Sequence, residues 1–175
     1  MLFINCSNRE KNCFEILNKI KNDNDKLISL SNKKMDFCLG CERCQESIPK
    51  YCVLDDYITN YVYGEIIKED NIVIASPIYM SNINGILKNL LDRMNPFYNH
   101  KLLKNKKIYL ILSGYASKED NQEEINSIIK YFEGISEWLY FDFKFLDYFV
   151  DSSDSEVIEE NNKKIELIRN ELGRW

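Results

Sequence analysis

Asn71-Ile-Val-Ile-Ala-Ser76-Pro77-Ile78-Tyr79-Met80-Ser81-Asn82 begins as a continuous apolar run and turns polar around a proline. An apolar run without alternation is what a strand buried on both faces of a parallel sheet requires. Pro77 fixes its own φ and carries no N–H, so it is expected to break the strand and shape a loop. Ile83, Ile86, Leu87, Leu90, Leu91 and Met94 follow at i, i+3, i+4, i+7 spacing and predict a helix, with Lys88, Asp92 and Arg93 off the stripe. The unit is strand, polar loop, helix.

The same unit recurs on either side. Upstream, Leu2–Asn5 is a short apolar run, residues 6–13 are polar, and Phe14, Leu17 and Ile20 recur at helical spacing. Lys26-Leu-Ile-Ser-Leu30 is a second strand candidate, and Asp55-Asp56 is expected to cap a helix carrying Ile58, Tyr61, Val62 and Ile66. Downstream, Lys107–Leu112 is another buried run ending in Ser113-Gly114-Tyr115-Ala116-Ser117, followed by a helix marked by Ile125, Ile128, Ile129 and Phe132. Residues 140–150 alternate, with Phe141, Phe143 and Phe145 on one side, as expected of an edge strand exposed on one face. A helix is predicted from Asp154 onward. Alternating strands and helices specify an α/β fold, a doubly wound three-layer sandwich with right-handed crossovers. With no repeat, low-complexity tract or Pro/Gly-rich linker, residues 1–175 are expected to form a single domain carrying a cysteine-rich loop insertion at about 36–54.

In such sheets ligands bind outside the carboxyl ends of the strands. Loops 6–13, 76–82 and 113–117 all lie at such ends. The first offers a hydroxyl (Ser7), a guanidinium (Arg9) and an amide (Asn12) just before a helix N-terminus, an arrangement suited to phosphate. It has no glycine, so by itself it is equally an ordinary helix start.

Cys38-Leu-Gly-Cys41-Glu-Arg-Cys44, closed by Cys52, holds four of the six cysteines in C-x2-C-x2-C-x7-C spacing. Two intervening residues let neighbouring thiolates reach one soft centre, and Gly40 frees the backbone between them. Three cysteines at this pitch suit a cubane cluster better than structural zinc, which usually pairs two knuckles across a longer loop. Reduced free thiols or a disulfide remain the alternatives.

A net charge of −5 with no basic stripe argues against nucleic acid and anionic membranes as partners. The start Met-Leu-Phe-Ile-Asn-Cys has neither a basic n-region nor a long apolar run, which predicts a cytoplasmic, reducing location. There, clustered cysteines are metal-binding or redox-active rather than a disulfide scaffold. The lone His100 is expected in a solvated loop and Cys6 as a small apolar residue. Trp175 is a candidate oligomer contact.

Two blocks in order carry a family resemblance: Cys38–Cys44 with Cys52-Val-Leu-Asp55-Asp56, and Ala75-Ser-Pro-Ile-Tyr79 with Lys88-Asn-Leu-Leu-Asp92-Arg93. The chain resembles the flavodoxin-like NAD(P)H-dependent FMN reductase superfamily, and within it the iron–sulfur flavoproteins of anaerobes. The resemblance covers most of residues 1–117. It implies a flavodoxin-like, five-stranded parallel sheet of order 2-1-3-4-5. It also implies FMN, with the phosphate at Ser7, Arg9, Asn12 and Cys13. The isoalloxazine would lie along Ser76, Pro77, Ile78, Tyr79, Met80 and Asn82, with Ser113, Gly114 and Tyr115 at its other edge. A [4Fe-4S] cluster on Cys38, Cys41, Cys44 and Cys52 is implied, with NAD(P)H or a ferredoxin-like protein as donor and a homodimer or homotetramer as assembly. The chain departs from the family in its first loop. That loop lacks the usual glycine and proline around the serine, is one residue short, and has Cys13 in place of a hydroxyl.

The leading expectation is therefore an FMN-dependent redox protein with an electron-relaying cluster, in which the flavin carries the chemistry and no side chain is named as catalytic. A cluster-free NAD(P)H-dependent FMN or quinone reductase is the alternative enzyme. A thiol- or metal-sensing module is the non-enzymatic one.

Overall fold

The computed structural model describes residues 1–46 and 51–173; Trp175, and the part of the cysteine-rich insertion at 47–50, lie outside the described residues. Five strands, β1 (Leu2–Asn5), β2 (Lys26–Ser29), β3 (Asn71–Tyr79), β5 (Lys107–Gly114) and β6 (Asp142–Val150), pair in parallel in the order β2-β1-β3-β5-β6. A two-residue strand, β4 (Asn82–Ile83), folds back antiparallel on the end of β3. With β4 set aside, the order is the expected 2-1-3-4-5. The chain steps outward from β1 to β2 and then crosses back to β3, so the strand order reverses between β1 and β3. That is where a crevice opens at the carboxyl ends.

Both faces of the sheet are covered. Phe3, Val73, Ala75, Ile111 and Phe149 pack with Ile16, Leu17 and Ile20 of α1 (Asn12–Ile20) and Ile165 and Ile168 of α6 (Ser155–Glu171). Leu2, Ile4, Ile72, Ile74, Leu110 and Leu112 point the other way. They meet α2 (Tyr63–Lys68), α3 (Gly85–Asp92), α4 (Asn95–His100) and α5 (Gln122–Leu139). Strand side chains alternate between faces, so a continuous apolar run fills both cores at once. Among the described residues no helix is long and apolar enough to cross a membrane.

Several boundaries differ from the sequence expectation. Pro77 does not break β3, which runs on to Tyr79 with Pro77 opposite Ser113. The partner β1 stops opposite Ala75, so beyond that point β3 has a neighbour on one side only, and a residue without an N–H is tolerated there. Ile83 belongs to β4 rather than to the helix. The helix starts at Gly85 because Asn84 caps it, its Oδ1 accepting the Leu87 N–H at 2.9 Å. The apolar stripe outlasts its helix: α3 ends at Asp92, and Met94 lies in the Arg93-Met94 joint before α4. β6 is at the sheet edge with Asp142 and Lys144 exposed on one face as expected, but its second half is covered on both. A register shift opposite Leu110/Ile111 skips Leu146, so Tyr148 and Phe149 are buried in the two opposite cores.

Asp56 does cap the helical segment, its Oδ1 accepting the Thr59 N–H at 3.1 Å, and the first turn there (Ile58–Val62) is of the wider π type. Cys6 is fully buried among apolar residues, and His100 ends α4 exposed. Among the described residues between Ser29 and Ile58, the only helical piece is a single 3₁₀ turn, Arg43–Gln45.

Candidate functional site

The first strand-end loop is fastened from below. The Asn5 side chain donates to Ser29 Oγ at 3.0 Å and accepts the Ser7 N–H at 3.2 Å, while Ser7 Oγ accepts the Arg9 N–H at 3.2 Å. This short network does the work that glycine and proline do elsewhere: it holds the turn open ahead of α1. Among the described residues no side chain caps that helix, which leaves its first-turn N–H groups and its positive dipole end available to an anion.

Three strand ends close on one cavity of about 110 Å³. Ser7, Arg9, Lys11, Asn12 and Cys13 line one side, Pro77, Ile78 and Tyr79 a second, and Ser113, Gly114 and Tyr115 a third. Asp151, at the carboxyl end of β6, completes the wall. A larger hollow of about 250 Å³ between α1 and α6 continues from it and shares Asn12, Ser113 and Asp151. Ser76, Met80 and Asn82 do not line the cavity. Ser76 is buried with its hydroxyl donating to the Pro77 carbonyl at 3.1 Å. Met80 is 97% exposed at the tip of the β3–β4 hairpin, and Asn82 accepts the Ile83 N–H at 2.8 Å.

The cavity carries a positive balance, Arg9 and Lys11 against Asp151. Arg9 is exposed at the cavity's rim, and hydrogen bonding with Tyr79, and next with Tyr115, holds its guanidinium above its ordinary pKa. Cys13 is buried and its Sγ lies 3.2 Å from Ser113 Oγ. Burial, opposed in part by that hydrogen bond, pushes the thiol up to about 11, so it is neutral at pH 7. Gly114 is required by a close approach: a Cβ there would lie 2.6 Å from the Tyr148 hydroxyl.

A second cavity, of about 220 Å³, is lined by all four clustered cysteines, Cys38, Cys41, Cys44 and Cys52, together with Leu39, Gly40, Leu54 and Asn95. Left-handed backbone at Gly40 (φ 60°) and Glu42 (φ 58°) curls the segment around it. All six cysteines are free in this structure. Among the described residues no three His, Cys, Asp or Glu side chains draw together tightly enough to hold a metal ion as they stand. Two of the sulfurs nonetheless have N–H donors, Asn95 Nδ2 to Cys44 Sγ at 3.1 Å and Arg93 Nη2 to Cys52 Sγ at 3.6 Å. Four thiols on one hollow, two of them with N–H donors at sulfur, fit an iron–sulfur cluster chemically.

Sequence reasoning missed Lys11, Asp151 and Arg93. Asp151 was open to the strand-end rule, since it follows the last parallel strand. Arg93 lies off the apolar stripe in the sequence, yet it is only 2% exposed and pairs with Asp56.

Comparison with known proteins bears on both cavities. Residues 1–130 match the family described as NADPH-dependent FMN reductase. An iron-sulfur flavoprotein of Methanocaldococcus jannaschii is 36% identical over 80 residues, which is 46% of this chain and 37% of that protein. A second iron-sulfur flavoprotein of the same organism is 32% identical over 111 residues, 62% of this chain and 55% of that protein. The chain thus spans about half, or less, of these curated relatives. The solved structure of the Trp repressor binding protein from Bacillus subtilis superposes with a TM-score of 0.66, covering 96% of each chain at 17% identity, a likeness of fold.

Proposed function

Because the chain belongs to the NADPH-dependent FMN reductase family, we propose that it is a flavin-dependent oxidoreductase whose three-loop cavity holds FMN. We further propose that its cysteine cavity holds a [4Fe-4S] cluster. Electrons would pass between NAD(P)H or a ferredoxin-like donor and a small-molecule acceptor such as a quinone. When bound, the flavin supplies both hydride and one-electron chemistry, and the cluster one-electron chemistry.

The carrying observation is that the carboxyl ends of β1, β3 and β5 meet on one positively balanced cavity. Its residues divide the work. The open first turn of α1, Ser7 and Asn12 donate to the phosphate, and Arg9 and Lys11 outweigh the opposing charge of Asp151. Cys13 stays protonated and contributes a weak S–H donor backed by Ser113. Tyr79 and Tyr115 supply aromatic faces for a flat ring system, and Gly114 lets backbone approach it. No proton need move through a side chain, since binding, orientation and exclusion of water suffice.

The match to iron-sulfur flavoproteins supports the cluster. The exposure of Cys38 and Cys41 favours the cluster-free NAD(P)H-dependent FMN or quinone reductase as the second reading. A homodimer or homotetramer is part of the proposal. Phe37, Leu39 and Trp138, exposed by 75%, 67% and 66%, supply apolar area near the cysteine cavity. The test is protein purified without oxygen, assayed for flavin, iron and sulfide per chain and for NAD(P)H-dependent quinone reduction. Flavin with iron and sulfide supports the leading reading, and flavin alone the second. Protein that neither carries nor takes up FMN overturns both.

A further inference from the structure

The cysteine segment is held by a polar clasp that the family likeness does not assign. We infer that Arg93 and Asn95 are positioning residues for the sulfurs of the second cavity, an inference that rests on its proposed role as the cluster site. Arg93 sits between α3 and α4, 2% exposed. Its guanidinium pairs with Asp56 through both Nη groups and donates from Nη1 to the Asp36 carbonyl at 2.9 Å, while the two N–H groups of Nη2 are shared among Asp56, Thr59 Oγ1 at 2.7 Å and, most weakly, Cys52 Sγ at 3.6 Å. The Asp56 carboxylate also accepts the Asp36 N–H at 2.8 Å, across a separation of 20 residues. The chain therefore enters the segment at Asp36 and leaves it at Cys52–Asp56 through one knot of hydrogen bonds. From α4, Asn95 Nδ2 holds Cys44 Sγ at 3.1 Å and Asn99 Nδ2 holds the Cys44 carbonyl at 3.3 Å.

A purely stabilising ion pair would not need this arrangement. Buried pairs are often replaceable by apolar residues at little cost, whereas this one spends N–H groups on a carbonyl and a sulfur of the segment and leaves Arg93 Nε unpartnered among the described residues. A fixed positive charge and N–H···S bonds stabilise negative charge on sulfur. At an iron–sulfur centre they favour the reduced form and raise its potential.

Two measurements test this. Amide hydrogen exchange on metal-free protein reads the clasp without any cluster. Arg93→Lys should speed exchange at the amides the clasp protects, Asp36, Tyr57 and Thr59, by about tenfold or more while β1 and β3 keep their protection; unchanged exchange at those amides overturns the clasp. Asn95→Leu, which leaves the ion pair intact, tests the sulfur donor in protein reconstituted with iron and sulfide without oxygen. At equal iron and sulfide content its oxidised-to-reduced ratio at a fixed potential should rise about tenfold, about 59 mV toward lower potential. No shift at equal loading overturns the donor role. Wild-type protein that takes up no iron and sulfide sinks the cluster reading and the donor role with it, and the exchange result still decides the clasp.

Discussion

Cys13 lines the three-loop cavity at the start of α1, the end proposed for the FMN phosphate, buried against Ser113 and uncharged at neutral pH. A thiol is a weaker donor than a hydroxyl. Cys13→Ser is therefore expected to tighten FMN binding by about threefold to tenfold, the worth of one ordinary hydrogen bond, measurable by flavin fluorescence quenching. Gly114 answers to a different constraint. The Tyr148 hydroxyl that faces it donates to the Ala116 carbonyl at 2.8 Å and accepts from Asn121 Nδ2 at 2.9 Å, on a fully buried side chain. Gly114→Ala must displace that ring, with an expected loss of about 1–3 kcal/mol in urea denaturation and weaker flavin binding.

The hairpin between β3 and β4 is the element whose sequence fits least well. Met80 (φ 50°) and Ser81 (φ 58°) are both left-handed, the geometry of a two-residue type I′ turn that Asn-Gly normally fills. The strand pairing of Tyr79 with Asn82 holds them there. Ser81→Gly should raise stability by about 0.5–1 kcal/mol, the relief of left-handed strain less the entropy glycine adds to the unfolded chain. A rise in the urea midpoint with unchanged slope is the expected reading. The same element explains why Pro77 does not end β3: a sheet partner, not a propensity, sets the strand's length.

For the whole molecule, pH acts through groups at its seams. Burial alone would raise the Asp56 carboxyl, but hydrogen bonds from Arg93 and from the Asp36 and Thr59 N–H groups outweigh it and hold it below the usual range. Lys26, and next Lys68, lower Glu65 where α2 meets β2. A carboxyl depressed by folding lends stability above its unfolded value of about 4 and loses it as pH falls through the lower folded value. On the alkaline side, burial raises the Cys6 and Cys13 thiols. The folded state then binds more protons above the free thiol value of about 8.5, and stability falls as pH rises. The urea midpoint should be level between about pH 5 and 8 and decline on both sides. Asp56→Asn should lower it at pH 7 and flatten the acid limb.

The apolar runs at Leu2–Asn5, Asn71–Ala75 and Lys107–Leu112, spaced by helical stripes, carried the buried strands and the two-sided core in the sequence itself, because burial on both faces leaves an unbroken pattern in one dimension, whereas the order 2-1-3-4-5 came only with the family resemblance. The loops at Ser7, Tyr79 and Gly114 were legible for the same reason: strand carboxyl ends follow from where the runs stop. What lay beyond the sequence were relations between distant residues. That Arg93 faces Asp56 and two ends of the cysteine segment, that Asp151 joins the wall of the three-loop cavity, and that β3 passes through Pro77 all depend on which backbone lies alongside. Side-chain periodicity records only whether a position is buried, whereas a buried charge is defined by the partner that tertiary packing brings to it.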